Sequence, residues 1–181
     1  MADQFFSDGY FRPRSLASWA RRHAGIETPR VEVPDLLVRF DLGFAEVEDM
    51  PRASRLNLHD GVLRVEVRPG HSRTQRFNVA HELGHYLLAT KLKVSFARQL
   101  KDRRFESYCN GFASHVLLPR KELAEQLADA TPSLAFAVAV ARHFGVSLLT
   151  AVLALNDACG WDHVLVRWQA TATDGWLALN V

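Results

Sequence analysis

The sequence predicts an α+β fold, in which a small antiparallel sheet packs on a helical core that includes a helix-turn-helix-like segment. Two apolar patterns carry this prediction. Apolar and polar residues alternate on both sides of a turn between positions 54 and 67, as is typical of a β-hairpin. Between positions 79 and 158, apolar residues recur three and four positions apart, which indicates a series of helices.

The length and composition favour one compact globular unit. The chain has 181 residues, of which 48% are hydrophobic and 23% charged, and this balance excludes disordered and fibrous classes. Within the unit we expect a main domain over residues 1–130, a helix-turn-helix-like segment over 131–160, and a C-terminal hairpin over 161–181 that packs on the same body.

We expect a cytoplasmic protein without membrane contacts. The first residues include Asp3 and Asp8 and lead into no long apolar run, so a secretory signal is not indicated. The longest apolar stretch, 134–141, is far shorter than the roughly 20 residues that cross a bilayer. The two cysteines cannot make a disulfide framework and are expected to be free thiols.

The first half of the chain predicts one helix and one hairpin. A helix is expected from Pro13, with an apolar side that ends before Gly25. The stretch 31–47 is mixed and favours neither helix nor strand. The segments on either side of Asp60-Gly61 alternate over 54–59 and 62–67, and this pair is typical of a two-residue hairpin turn.

The second half predicts five helices and a terminal hairpin. Asn78 is expected to cap the first helix, and Pro119 to end the second. An Asp174-Gly175 turn is expected within the hairpin. The predicted spans are helices over 79–91, 105–117, 121–128, 133–143 and 147–158, and strands over 163–171 and 176–181.

Charge gives little evidence about partners. The net charge is +2, too small to indicate nucleic-acid binding, but the stretch 91–104 holds six Lys and Arg residues against one acid, Asp102. A solvated surface is the ordinary interpretation of such a run. An acidic partner or a nucleic acid is the alternative.

The sequence His81-Glu82-Leu83-Gly84-His85 carries the chemistry. On a helix, residues four positions apart share a face, so His81 and His85 can offer two imidazole nitrogens to one metal ion. Glu82 lies beside them, where it can take a proton from a water that the metal has activated. The alternative is an exposed helix face with no metal.

A catalytic zinc ordinarily has three protein ligands, so a third must come from elsewhere in the chain. Glu106 is the best candidate, because it lies on a separate predicted helix that can return antiparallel to the first. Asn110, one turn later, can accept a hydrogen bond from the second ring nitrogen of a ligating histidine. We interpret His115 as structural. His71 and Tyr108 could reach a transition-state oxyanion, but such residues are more often loop or packing residues, and we do not count them as catalytic.

Two segments resemble the ImmA/IrrE family of metallopeptidases. Residues 76–87 (RFNVAHELGHYL) are similar to the signature helix of that family, and residues 106–119 (ESYCNGFASHVLLP) to its second conserved segment. Asn78 stands where Thr is usual and Cys109 where Ala is usual, and neither change removes a catalytic group. The resemblance is specific over about 73–119.

The resemblance implies a zincin-like core, with Glu106 as the third ligand, as in thermolysin-like gluzincins. It implies a Zn²⁺ cofactor, with Mn²⁺ open as an alternative because two imidazoles and a carboxylate accept several divalent ions. It further implies a protein substrate, a helix-turn-helix (XRE-type) repressor, cleaved in a stress, DNA-damage or mobile-element response.

Two other functions stay open. The helix pair over 133–158 makes a DNA-binding regulator conceivable, but its second helix has no Lys or Arg over 147–158, so direct DNA binding is not expected. The chain is alternatively a non-proteolytic, partner-binding half of a toxin-antitoxin pair.

Overall fold

A computed structural model describes residues 12–70, 72–127, 130–131 and 133–159, together with the backbone of two later strands. Helices dominate this part of the chain. The elements in chain order are α1 (Pro13–His23), α2 (Val33–Val38), β1 (Gly43–Glu46), β2 (Ser54–His59), β3 (Val62–Val67), α3 (Ser72–Thr90), α4 (Phe96–Gln99), α5 (Arg103–Leu117), α6 (Arg120–Leu127), α7 (Leu134–Phe144), α8 (Leu148–Cys159), β4 (His163–Gln169) and β5 (Asp174–Asn180).

The first three strands form one small sheet in the order β1-β3-β2. The predicted hairpin of β2 and β3 is confirmed, and its turn residues Asp60 and Gly61 both have positive φ, 51° and 78°, as a type I′ turn requires. β1, from the stretch that the sequence left unassigned, pairs parallel with β3, so the sheet is mixed. β2 pairs on one side only among the described residues and is therefore an edge strand.

α3 is the central helix of the fold, and it begins earlier than the sequence predicted. It starts at Ser72, so Asn78 lies inside the helix and does not cap it. Of the residues in the added turns, Arg76 is buried, beside the core residues Val79, Leu83 and Leu87 of the predicted helix. The burial of Arg76 explains why the helix continues through a position that favours caps.

α3 packs closely against α5 at Gly84. A Cβ placed on Gly84 would lie 3.1 Å from Cδ1 of Phe112 and 3.3 Å from Sγ of Cys109. Both neighbours are fully buried, so they have little room to move aside. Glycine at this position therefore sets how near the two helices come.

The α7–α8 pair belongs to the same core as α3. The two helices are bent by 109° relative to each other, and Gly145 adopts a left-handed conformation, φ 64°, at the end of α7. The buried Arg76 donates hydrogen bonds to the carbonyl of Gly145, at 2.7 Å, and to that of Val31. One side chain thus ties the turn of the helix pair to α3 and to the segment before α2.

The terminal strands form the predicted hairpin, but the turn lies elsewhere. Gln169 pairs with Asp174 and Trp168 with Gly175, so Asp174-Gly175 belongs to β5 and is not the turn. The intervening residues 170–173 lie outside the described part. The packing of this hairpin on the rest of the protein stays a prediction.

No single helix within the described ranges is both long and apolar enough to cross a bilayer. Only α7 and α8 taken together, across their 109° bend, reach the necessary length and apolar content.

A buried carboxylate holds the face of the sheet that points away from α3. Glu66 is 1% exposed and accepts hydrogen bonds from Arg55 at 2.7 Å, Asn57 at 2.9 Å and Arg64 at 3.0 Å. These bonds, led by that of Asn57, lower the pKa of Glu66 from 4.5 to about 2. The ionised form is therefore the one that the fold stabilises.

Acidification should weaken the fold through Glu66. Its pKa is lower in the folded state than in the unfolded state, so its contribution is present above pH 4.5 and is lost as the pH falls towards 2. Urea unfolding across this window should show a smaller loss of stability in Glu66→Gln than in the wild type. Parallel curves for the two proteins would contradict the assignment.

Gly84→Val should destabilise the protein by about 1–3 kcal/mol, the usual cost of overpacking a tight contact. Valine has a higher helix propensity than glycine, so a loss can only come from packing. Chemical denaturation with and without zinc measures it. Unchanged stability together with unchanged zinc affinity would show that α3 and α5 do not require this close approach.

Candidate metal centre

A cleft of about 780 Å³ opens between β2 on one side and helices α3, α4 and α5 on the other. The side chains at its floor come from the middle of α3 and the first turns of α5. All of the candidate metal ligands and the candidate base line this cleft: His81, Glu82, His85 and Glu106.

The structure brings His81, His85 and Glu106 to one point. The two Nε2 atoms lie 3.1 Å apart, and the Glu106 carboxylate oxygens lie 3.3 Å from His81 Nε2 and 3.4 Å from His85 Nε2. Ligands at 2.0–2.1 Å from a tetrahedral ion are separated by about 3.3 to 3.4 Å. The three donors therefore have the spacing that such an ion requires, with room for a further ligand from the open cleft.

Both imidazoles are held by a hydrogen bond at the ring nitrogen that faces away from this point. His81 Nδ1 lies 2.9 Å from Oδ1 of Asn110, the arrangement that the sequence suggested. His85 Nδ1 lies 2.7 Å from Oε1 of Gln99. With both acceptors on the Nδ1 side, each neutral ring carries its proton there and presents a lone pair from Nε2.

The resulting cluster has a deficit of positive charge. Two imidazole lone pairs and a carboxylate point at one another within 4.8 Å, an arrangement that repels unless a cation or a proton lies between them. Burial is the largest cause of the lowered pKa of His81, followed by the neighbouring His85. A lowered pKa keeps this ring neutral, as a metal ligand must be.

Glu82 lies beside the cluster and is only 9% exposed. Its Oε1 accepts a hydrogen bond of 2.7 Å from the Ser54 hydroxyl, at the start of β2. This bond fixes one carboxylate oxygen towards the sheet. The other oxygen remains for a proton from the cleft.

Sequence reasoning missed Gln99 and Ser54. Gln99 lies on α4, whose four residues are too short to show helical periodicity, within a basic stretch interpreted as surface. Ser54 is the first residue of a predicted strand and has no motif around it. Only the three-dimensional proximity of these residues to the histidine-glutamate motif reveals them.

Other residues considered from the sequence lie away from the cluster. His115 faces a second cavity, of about 870 Å³, between α5 and α8, where burial lowers its pKa. Tyr108 is 4% exposed and does not line the cleft. His71 lies outside the described residues.

The basic stretch 91–104 forms one side of the cleft. Two of its cations contact other side chains of the same protein. Lys91 lies over the ring of Trp19 at 4.9 Å, and Arg104 pairs with Asp102 at 2.8 Å. These contacts are typical of cations on a solvated surface that interact with neighbouring side chains of their own protein. Whether the stretch also binds a partner stays open.

The cleft walls are largely apolar. Leu58 on β2 and Leu100 after α4 are 67% and 74% exposed. Arg52 and Arg55 lie among the lining residues, whose carboxylates are Glu82 and Glu106 alone. The exposed apolar surface beside a polar cluster is typical of a binding site for a chain with apolar side chains.

One known protein is similar to this chain in sequence, and another in fold. The chain is 25% identical to the radiation response metalloprotease IrrE of Deinococcus radiodurans, in an alignment over 184 positions that covers 82% of this chain and 56% of that protein. A Mycobacterium tuberculosis transcriptional regulator superposes with a TM-score of 0.58 at 18% identity, covering 98% of this chain and 59% of the other, which shows a shared fold. The chain thus spans little more than half the length of either protein.

The sequence model of one metallopeptidase family, Peptidase_M78, described as the IrrE N-terminal-like domain, matches residues 42–156. This range contains β1 through most of α8, and with them every side chain of the cluster. It covers well over half of the chain, and the metalloprotease named above is a relative of the same type. The protein therefore belongs to the Peptidase_M78 (IrrE N-terminal-like) family of metallopeptidases.

Proposed function

We propose that this protein is a zinc-dependent endopeptidase that hydrolyses a peptide bond in a protein substrate. The convergence of His81, His85 and Glu106 on one point, with Glu82 beside them, is the observation that carries the proposal. Membership of a metallopeptidase family supports it.

Each residue has a distinct role in this proposal. His81, His85 and Glu106 hold the cation, which supplies Lewis acid activation of a water and of the scissile carbonyl. Glu82 takes the proton of the attacking water and then passes it to the leaving amine. The Ser54 hydrogen bond keeps the Glu82 carboxylate turned in one orientation, so the proton transfer needs no reorientation of this group.

The substrate binds in an extended conformation along β2. This strand lines the cleft, and its outer edge pairs with no other strand in the described part of the chain, so the backbone there can pair with an added strand. Apolar side chains of the substrate then contact Leu58 and Leu100, the exposed apolar residues of the walls.

The protein substrate proposed here is a helix-turn-helix repressor of the XRE type, in a stress, DNA-damage or mobile-element response within the cytoplasm. Support comes from the family and from its relative, whose name describes a radiation response metalloprotease. A gene for such a repressor beside the gene for this protein would nominate the substrate. Its incubation with the zinc-loaded protein, followed by mass spectrometry, would locate the cleaved bond.

Zinc is the proposed metal because two imidazoles and one carboxylate, with an open position, are typical of catalytic zinc sites. Manganese is the alternative, since the same donors accept it. Elemental analysis of protein purified without added metal distinguishes the two.

DNA binding through α7 and α8 is a second candidate. Their bend of 109° falls within the range of helix-turn-helix motifs. Against it, α8 offers Leu148, Leu149 and Leu153 in place of cations. Strong, salt-dependent binding of a nonspecific duplex in a gel shift would favour this function.

Glu82→Gln should lower peptidase activity by about 10²- to 10⁴-fold, the usual contribution of a general base. Zinc content should be unchanged, because Glu82 is not among the three converging donors. Cleavage of the repressor and elemental analysis measure the two effects. Full biological output from a zinc-loaded Glu82→Gln protein would instead favour the non-proteolytic, partner-binding function.

Loss of one ligand should abolish stable metal binding. The purified wild type should contain one zinc per chain, and His81→Ala and Glu106→Ala should contain close to none, because two remaining donors hold zinc weakly. His115→Ala is the matched control, since it removes a histidine of α5 that lies outside the cluster. A wild type without transition metal, or a Glu106→Ala protein with full zinc, would refute the site.

A further inference from the structure

We propose that Gln99 is a positioning residue that couples occupation of the metal site to the order of one wall of the cleft. The proposal rests on the metal site proposed above. The wall consists of residues 91–104, which include α4, and we call it the basic wall.

Gln99 is buried, 3% exposed, and its amide binds in two directions. The oxygen lies 2.7 Å from His85 Nδ1. The nitrogen donates to the carbonyl of Val94 at 2.8 Å and to that of His85 at 3.2 Å. Since a carbonyl can only accept, the two carbonyls fix which end of the amide is nitrogen, and the oxygen must face the ring.

This orientation selects one form of His85. An amide oxygen only accepts hydrogen bonds, so the neutral ring makes this bond in the form that has its proton on Nδ1 and its lone pair on Nε2. Nε2 is the atom that faces His81 and Glu106. Gln99 therefore prepares His85 for a cation before any cation arrives.

The same amide anchors the basic wall. From Lys91 to Asp102 only Val94 and Gln99 are buried. α4 has only four residues, which is too short to be stable by itself. Two of the three side-chain bonds of Gln99 run to His85 on α3, and the third holds Val94 within the wall. The backbone of residues 91–94 also bonds to the end of α3, but beyond Val94 Gln99 is the buried residue through which the wall contacts α3.

The two roles of Gln99 make the metal and the wall depend on each other. A cation on His85 Nε2 keeps the ring proton on Nδ1 and so preserves the bond to Gln99. Without a cation the ring can adopt its other neutral form, in which Nδ1 and the amide oxygen are both acceptors and repel. By linkage, a cation that orders the wall is itself bound more tightly by a protein with an ordered wall.

The order of the basic wall affects the cleft directly, because the wall carries Phe96 and Leu100. Both side chains line the cleft and are 42% and 74% exposed. The metal thus prepares an apolar surface for the substrate as well as the reacting centre.

Asn110 provides a matched control. It makes the corresponding bond to His81, 2.9 Å long, but it lies on α5, a helix of 15 residues that packs through the core. Its loss should weaken the metal site without loosening the basic wall.

The experiment compares full-length wild type, Gln99→Leu and Asn110→Leu. Zinc affinity is measured by competition with a chromogenic chelator. Order of the wall is measured by limited trypsin digestion with and without saturating zinc, following by mass spectrometry the cleavages after Lys91, Lys93, Arg98 and Lys101. Thermal unfolding of each zinc-free protein shows that the variants are folded.

Zinc should slow cleavage of the basic wall in the wild type. Both variants should lose zinc affinity by about 10- to 100-fold, as expected for partners of a ligating histidine. At saturating zinc, however, Asn110→Leu should regain full protection of the wall and Gln99→Leu should not.

Gln99→Glu separates the two roles. The carboxylate keeps an acceptor for His85 Nδ1 but has no N–H for the Val94 and His85 carbonyls. Zinc affinity should therefore stay near that of the wild type while the wall loses its zinc-dependent protection. This variant also tests the proposal if Gln99→Leu does not fold.

Two results would overturn the inference and leave the proposed function intact: zinc binding in the wild type with unchanged affinity and protection in Gln99→Leu, or an equal loss of protection at saturating zinc in Asn110→Leu. A wild type that binds no zinc would instead remove the metal site, and the proposed function with it.

Discussion

The candidate site depends on one electrostatic constraint, the convergence of three electron-pair donors on one point. His81 and His85 approach through their Nε2 atoms to 3.1 Å, and Glu106 closes the group. Donor atoms that point at one another repel at such distances unless a cation or a proton lies between them, so the surrounding fold helps to hold them together. Gly84 contributes by letting α5 lie close to α3, and Asn110 and Gln99 contribute by fixing the two rings.

The residues that hydrogen-bond to the cluster and to Glu82 lie on two kinds of element. Asn110 lies on a long helix whose position the core determines, so its orientation needs no other contact. Gln99 and Ser54 lie on a short helix and on an edge strand, where the backbone alone fixes little. Side-chain bonds of Gln99 and Ser54 thus connect these two elements to α3 across the cleft.

Much of the fold was predictable because its signals are local. The β2–β3 hairpin follows from alternation and the Asp60-Gly61 turn, and the ends of α1 and α5 follow from Pro13, Gly25 and Pro119. The start of α3 was not predictable, because tertiary burial of Arg76 overrode the capping preference of Asn78. The parallel pairing of β1 with β3 was not predicted either, because a strand of four residues is too short to show a periodicity of its own.

In the candidate site, too, short-range sequence patterns predicted some residues and could not predict others. The i, i+4 spacing of His81 and His85 places them on one face without knowledge of the fold, and Asn110 follows Glu106 by one helical turn. Gln99 and Ser54 join the site through contacts 14 and 28 positions apart in sequence. No short-range pattern in one sequence encodes such contacts.

Arg76 has a consequence for how this fold can be divided. Its guanidinium is buried, and its acceptors are carbonyls contributed by the α7–α8 turn and by the segment before α2. Loss of the turn between α7 and α8 would remove two of these carbonyl acceptors, five residues from the first histidine of the cluster. An exchange of this region between relatives would therefore have to conserve the backbone geometry that presents these carbonyls more strictly than the side chains.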